Sequence, residues 1–263
     1  MSTGTRMKSV MRTERPVDQN LLAENQGLIH SIERRLLLRG GISLGALTLL
    51  TGCDITNRDA VQGVLGRMSQ WNDRVQAWLF SPTLLAPEFA PHRVSKPPRW
   101  NAYIGQDAIP EVDGETWRLE LAGLVADKRP RTLREIYAMP HVTQRTRHVC
   151  VEGWDYIGEW TGVPLKHFLE SVGADLSAKY VAFRCADKYT GSIDMASALH
   201  PQTQLTTQYA GERLNKLTGF PIRLKAPTKL GFKQPKQILA IEVTNVYPGG
   251  YWEDRGFHWF SGI

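Results

Sequence analysis

Cysteine is scarce: Cys53, Cys150 and Cys185 are the only three in 263 residues. Three cannot build a disulfide framework, and the closest two lie 35 positions apart (185 − 150), too far for a zinc ribbon. The chain also lacks a Gly-x-x-x-x-Gly-Lys phosphate loop, a dinucleotide fingerprint, a Cys-x-x-Cys-His haem attachment and an internal repeat. No apolar run reaches the roughly 20 residues that a spanning helix needs. Basic charge is in excess, at a net +6, but residues 1–52 hold seven Lys+Arg against four Asp+Glu. The remainder keeps 32 − 7 = 25 basic and 26 − 4 = 22 acidic residues, so half of the excess sits in the first fifth of the chain. A nucleic-acid partner therefore loses most of its support. With 22% charged and 9% aromatic residues the composition is that of a folded protein, which excludes wholesale disorder.

What is present begins with a leader-like segment. Arg34-Arg35-Leu36-Leu37-Leu38-Arg39 precedes a short Gly-containing apolar run that ends at Leu50. A basic stretch followed by a short apolar one is the layout of an export signal, and the paired arginines resemble the twin-arginine type. Residues 1–52 are expected to engage the twin-arginine translocation machinery, which carries proteins already folded around a cofactor. Leu50-Thr51-Gly52-Cys53 resembles a lipobox, so lipidation at Cys53 and a membrane-anchored, periplasmic location are expected. A plain cleaved signal with an incidental cysteine, or a buried N-terminal helix, are the alternatives.

Residues 53–94 are expected to form an anchor, a helix and a wrapping segment. Val61, Val64, Leu65, Met68, Trp71, Val75, Trp78 and Leu79 recur at spacings of three and four, the pattern of an amphipathic helix. Packing of that helix on the main domain is the favoured reading; docking to a membrane or partner is the other. Pro82, Pro87, Pro91, Pro97 and Pro98 then predict an extended path. From residue 95 to 263 short strands (117–121, 180–183, 221–224, 238–243) and a helix starting near Thr132 follow without regular crossover helices. That predicts an α+β domain rather than a doubly wound sheet.

The most unusual segment is Arg147-His148-Val149-Cys150-Val151-Glu152-Gly153-Trp154. A cysteine among apolar residues is usually a small core hydrophobe, but cationic neighbours favour the thiolate, a nucleophile or soft-metal ligand. A lone cysteine makes a poor zinc site, yet it suits a metal whose other ligands come from a cofactor. Cys150 through Trp154, Trp160 through Leu165, Lys179 through Phe183, Ala198 through Pro201, Gly219 through Leu224 and Pro227 through Ile238 together resemble the sulfite oxidase/molybdopterin-dependent oxidoreductase family. The resemblance spans roughly residues 95–260. It is nearest to the exported single-domain branch that includes the periplasmic protein-methionine-sulfoxide reductases.

That resemblance implies a sulfite oxidase-type molybdopterin-binding fold and one molybdenum-molybdopterin in its phosphate form. By position, Cys150 would be the protein thiolate on molybdenum, and so the catalytic and metal residue. Arg223 and Lys236, with Gln234 and Pro235 beside it, match the cradle of the pterin phosphate. Arginine can grip phosphate in a fork and lysine as a point charge. Asn101 matches a pterin contact and Tyr103 is a looser candidate. Thr218 stands where the reductases carry Asn, and Cys185 where they carry Thr, so Cys185 is either a cofactor contact, as a second sulfur near the metal, or a small core residue.

Asp155 stands where sulfite-oxidising members carry arginine, and a carboxylate there would repel sulfite. His148, Asp155, Tyr156, Asp187, Lys188 and Tyr189 are candidates for the pocket mouth. The expected activity is two-electron oxygen-atom transfer, as reduction of an S-oxide or N-oxide on a small molecule or a protein. The alternatives are a sulfite dehydrogenase and an exported binding or assembly module without turnover. Electrons would pass through a separate membrane haem protein or cytochrome, and a monomer is expected because the family's dimerisation domain does not follow.

Overall fold

The computed structural model describes residues 58–100 and 102–263. The expected leader, Cys53 and the pterin candidate Asn101 lie outside them. Residues 65–263 form one compact unit of α+β architecture, as the scarcity of crossover helices predicts.

The first of two five-stranded sheets runs β2-β1-β10-β5-β6, where β1 is Arg118–Gly123, β2 Arg131–Thr132, β5 Tyr180–Cys185, β6 Thr190–Asp194 and β10 Ile238–Thr244. Its centre is β10, paired parallel to β1 (Glu120↔Ala240) and antiparallel to β5 (Ile241↔Phe183). Alternation puts Leu119 and Leu121 of β1 into the core and leaves Arg118 and Glu120 outside. Helix α2 (Leu133–Ala138) starts on a capping box: Thr132 accepts from the Glu135 N–H while the Glu135 carboxylate accepts from the Thr132 N–H. Such a cap is worth about 1 kcal/mol. The main core gathers Leu119, Ile136, Phe168, Val181, Leu205 and Ile241.

The second sheet is antiparallel, in the order β3-β4-β7-β8, with β9 also on β7. Here β3 is Val142–Val149, β4 Asp155–Pro164, β7 Gln204–Tyr209, β8 Glu212–Arg213 and β9 Arg223–Lys225. The β3–β4 hairpin is in register from Val142↔Gly162 to Val149↔Asp155. A smaller core of Tyr156, Trp160, Tyr209 and Leu214 lies on this sheet. The strand expected over 221–224 shifts to Arg223–Lys225, because Pro221 has no N–H to give a ladder. The proline-rich segment wraps as expected: the Phe89 N–H donates to the Arg145 carbonyl and the Ser95 N–H to that of Ile157.

Helix α1 (Arg58–Leu79) covers the residues whose spacing predicts it, but its docking reverses the usual rule. Its polar side chains face the C-terminal segment. The Asp73 carboxylate accepts from the N–H groups of Trp259 (3.3 Å) and Phe260 (3.0 Å), the Gln76 side chain from that of Gly262 (3.3 Å), and Ser69 bonds His258 (3.1 Å). Leu65, Met68, Trp71, Trp78 and Leu79 are exposed. The helix does pack on the main domain, though not through its apolar stripe, because the C-terminal segment offers backbone N–H groups that need acceptors.

Candidate functional site

Cys150 lies at the tip of the β3–β4 hairpin, in a loop closed by its own N–H donating to the Trp154 carbonyl (2.9 Å) and the Gly153 N–H donating back to the Cys150 carbonyl (3.1 Å). Gly153 adopts φ +87°, the left-handed turn geometry that favours glycine. The loop brings Cys150 to a cavity of about 210 Å³. Its apolar walls are Tyr103, Tyr189, Phe232, Trp252 and Phe257, its acidic ones Glu152 and Asp187, and Gln234, Pro235 and Lys236 close it. Two hydroxyls lock the wall: Tyr103 donates to the Asp187 carbonyl, and Tyr189 to that of Phe232 (2.6 Å). Burial, then the field of Asp187, pushes Tyr103 up to about 12. Burial also raises the Asp187 carboxyl above the usual range, despite the N–H that Tyr189 donates to it.

Lys236 also borders a second, tighter cavity of about 80 Å³, lined by Trp100, His148, Tyr156, Thr218 and Arg223 among others. Around it lie three buried cations. Arg223 donates to the Thr218 carbonyl (3.1 Å) and stacks over Trp160 (4.7 Å to the ring centre). Lys225 donates to the Arg147 carbonyl (3.2 Å). Lys236 donates to the Leu217 carbonyl (3.4 Å). Burial, reinforced by the neighbouring Arg223, drives Lys225 well below the ordinary lysine range and Lys236 down to about 7. His148 is held neutral by burial and by the same three cations.

Among the described residues no carboxylate forms an ion pair with Arg223 or Lys225. His148 Nδ1, Arg223 Nε and Trp100 Nε1 are buried without a hydrogen-bond partner there. Buried cations without a counter-charge cost several kcal/mol each, and orphaned donors cost more. The donor set therefore fits an anionic, acceptor-rich group such as a pterin phosphate. Two glycines keep the space clear. A Cβ at Gly231 would fall 2.7 Å from His148 Nε2, and Gly219, at φ +109°, would put one within 3.2 Å of both Lys236 and Arg223.

The structure thus brings together Cys150, Tyr103, Gln234, Pro235 and Lys236 at one cavity, and Thr218, Arg223 and Lys236 at the adjoining one. Cys185 does not join them: it is buried in the main core, and burial raises its thiol pKa well above the usual range. Of the mouth candidates, Asp187 and Tyr189 line the larger cavity, whereas His148 and Tyr156 belong to the inner one. Lys188, at φ +68°, serves the β5–β6 turn. Asp155 lines neither cavity; it pairs with Arg147 across the hairpin. The negative charge facing the larger cavity comes instead from Glu152 and Asp187.

Phe232, Trp252 and Phe257 were not among the expected site residues. They come from two distant segments, and the one local clue is the aromatic density of 251–260. A larger cavity of about 480 Å³, lined by Arg118, Arg134, Tyr137 and Arg213 among others, shares no residue with this site.

Comparison with known proteins gives the family. The family model described as the oxidoreductase molybdopterin binding domain matches residues 106–252. A relative from Azospira oryzae, which carries the provisional name protein-methionine-sulfoxide reductase subunit YedZ1, is 56% identical over 87% of each chain. The protein-methionine-sulfoxide reductase catalytic subunits MsrP of Ralstonia nicotianae and Campylobacter jejuni are 30% and 29% identical, over 52% and 53% of this chain. The chain spans about half the length of those two, 46% and 52%.

Proposed function

The chain belongs to the molybdopterin-binding oxidoreductases, and from that premise we propose that it reduces S-oxides, with electrons delivered by a separate haem partner. It is an enzyme of that family and binds molybdenum-molybdopterin. When bound, the cofactor supplies two-electron oxygen-atom transfer. The observation that carries the S-oxide reading is the aromatic wall beside Cys150. Tyr103, Tyr189, Phe232, Trp252 and Phe257 suit the apolar substituents of a sulfoxide, and the sulfur-bearing chain of methionine sulfoxide packs well on ring edges. Glu152 and Asp187 repel an anion such as sulfite. The relatives named as methionine-sulfoxide reductases support the same direction.

The roles divide as follows. Cys150 would give the protein thiolate to molybdenum; Arg223, Lys236, Thr218 and the unpartnered Trp100 N–H would hold the pterin and its phosphate. The reaction balances as R2SO + 2H⁺ + 2e⁻ → R2S + H2O. The aromatic wall excludes bulk water. Asp187 lines the cavity beside Cys150, and burial raises its carboxyl above the usual range. The word subunit in the relatives' names supports a separate electron donor. The sequence of 34–53 supports export, with Cys53 as the anchor.

The test is dye-linked turnover of the purified holoenzyme. Reduced viologen should be oxidised by methionine sulfoxide and dimethyl sulfoxide, and sulfite should reduce no acceptor. Cys150→Ser should lose both molybdenum and turnover. Sulfite oxidation without sulfoxide reduction would overturn the substrate reading, and metal retention by Cys150→Ser would overturn the ligand assignment.

A further inference from the structure

Helix α1 gives Ser69, Asp73 and Gln76 to the protein and leaves its largest apolar side chains outside. Asp73, Gln76 and Ser69 hold the C-terminal segment. Trp71 and Trp78 are 65% and 82% exposed, with Leu65, Met68 and Leu79 also exposed, at spacings that put them on one helical face. Single exposed apolar residues need no explanation, but five on one face of one helix do. The charges on the solvent side of this stretch have one sign. Arg67 and Arg74 are exposed, one turn before Trp71 and Trp78, while Asp73, the only carboxylate of residues 63–79, is turned inward. Leu84 and Leu85 continue the apolar exposure past the helix end.

We propose that the outward face of α1 lies in the headgroup layer of an anionic lipid bilayer. Tryptophan is the side chain that prefers this layer, with its ring toward the acyl boundary and its N–H toward water. Arginines beside it answer anionic headgroups. The helix lies on the membrane rather than crossing it: its polar face is engaged by the protein, and no helix among the described residues is long and apolar enough to span. The preceding chain points the same way, since the apolar run ending at Leu50 and Cys53 stand only a few residues ahead of Arg58. A second copy is the weaker occupant. It would set the Arg67 and Arg74 edges together with no outward carboxylate among residues 63–79 to answer them. The inference rests on placing the protein at a membrane surface, not on the reaction it catalyses.

The experiment uses the full-chain holoenzyme carrying Cys53→Ala, so that no lipid anchor contributes. Co-flotation is measured with vesicles of phosphatidylcholine plus phosphatidylglycerol and with phosphatidylcholine alone. Binding is expected to be stronger to the anionic vesicles. Trp71→Gln with Trp78→Gln should weaken it at least about tenfold, with dye-linked activity and melting temperature unchanged. Arg67→Gln with Arg74→Gln should remove the preference for phosphatidylglycerol. All variants keep the apolar run before residue 51, so its own affinity cancels in the comparison. Absence of flotation, flotation indifferent to the tryptophan pair, or a dimer that the tryptophan variant dissolves would each overturn the proposal. Normal flotation by an enzyme that turns over no sulfoxide would overturn the reaction reading alone.

Discussion

Two clusters of buried cations stand within fourteen positions of each other (236 − 223 = 13 steps), and they are stabilised in opposite ways. Lys233 pairs with Glu253, both almost fully buried, and Lys229 donates to the Phe260 carbonyl (2.8 Å) with Asp194 at 3.4 Å. Arg223 and Lys225 have carbonyls and the Trp160 ring around them but, among the described residues, no carboxylate partner. The first cluster is neutralised by the chain itself and ties the C-terminal segment to the 229–233 turn. The second is complete only when an anion arrives. Burial of lysine alone therefore does not mark a ligand site; the missing counter-charge does.

Breaking the paired cluster should give the largest effect. Lys233→Met leaves Glu253 buried without its cation and is expected to cost about 3–5 kcal/mol, a fall in melting temperature of roughly 10 °C. Calorimetry showing a fall of only a degree or two would mean the pair is not structural. The matching change in the other cluster, Arg223→Met, should cost the apoprotein little, at most about 1 kcal/mol, because an uncompensated charge leaves with its bonds. Cofactor content measured by molybdenum and pterin release should drop at least about tenfold, the loss of one charge-assisted contact. Equal losses of apoprotein stability in the two variants would erase the distinction.

The pH dependence sharpens it further. Burial lowers both Lys229 and Lys236 to about 7 from 10.5. The unfolded chain then binds more protons than the fold between those values, so stability should rise with pH from about 7 to 10.5 and fall as pH drops through that window. Each lysine contributes at most about 1.4 kcal/mol per pH unit. Denaturant melts should show a shallower slope for the holoenzyme, because a bound anion restores the charged form of Lys236 but leaves Lys229 untouched. Identical slopes with and without cofactor would argue that no anion sits beside Lys236. A smaller effect than that of Lys233→Met belongs to Asp194→Asn. Asn keeps the cap on Ser197 and the buried Lys229 keeps the Phe260 carbonyl, but its counter-charge is lost, so a loss of about 2 kcal/mol is expected in melting experiments.

Much of the site was legible because it is written in short contiguous motifs. Gln234, Pro235 and Lys236 are neighbours in sequence and line one cavity; Cys150 stands out by the Arg147 and His148 that precede it. The α+β class followed from strands without crossover helices. The hairpin strands β3 and β4 were not anticipated, because buried Thr146, His148 and Gln144 interrupt the apolar alternation on β3. These polar side chains are buried where a strand pattern expects apolar ones, which hydropathy cannot register. Asp155 carried a sound electrostatic argument at the wrong place, since the cross-strand register gives its charge to Arg147.

By itself the sequence determined the residue types available for a soft metal ligand and an anion cradle, the span of α1 and the wrapping proline segment. These depend on local chemistry and on periodicity within a dozen residues. Only the tertiary structure decided which way each side chain faces. It placed His148 beneath the cradle, buried Cys185 in the main core, and drew Phe232, Trp252 and Phe257 to the wall opposite Cys150. It also turned α1 outward. An amphipathic helix has two faces, and the sequence defines both, but which one meets the protein depends on what the partner segment offers. Here residues 258–262 offer backbone N–H groups, so the polar face went in and the tryptophans stayed out.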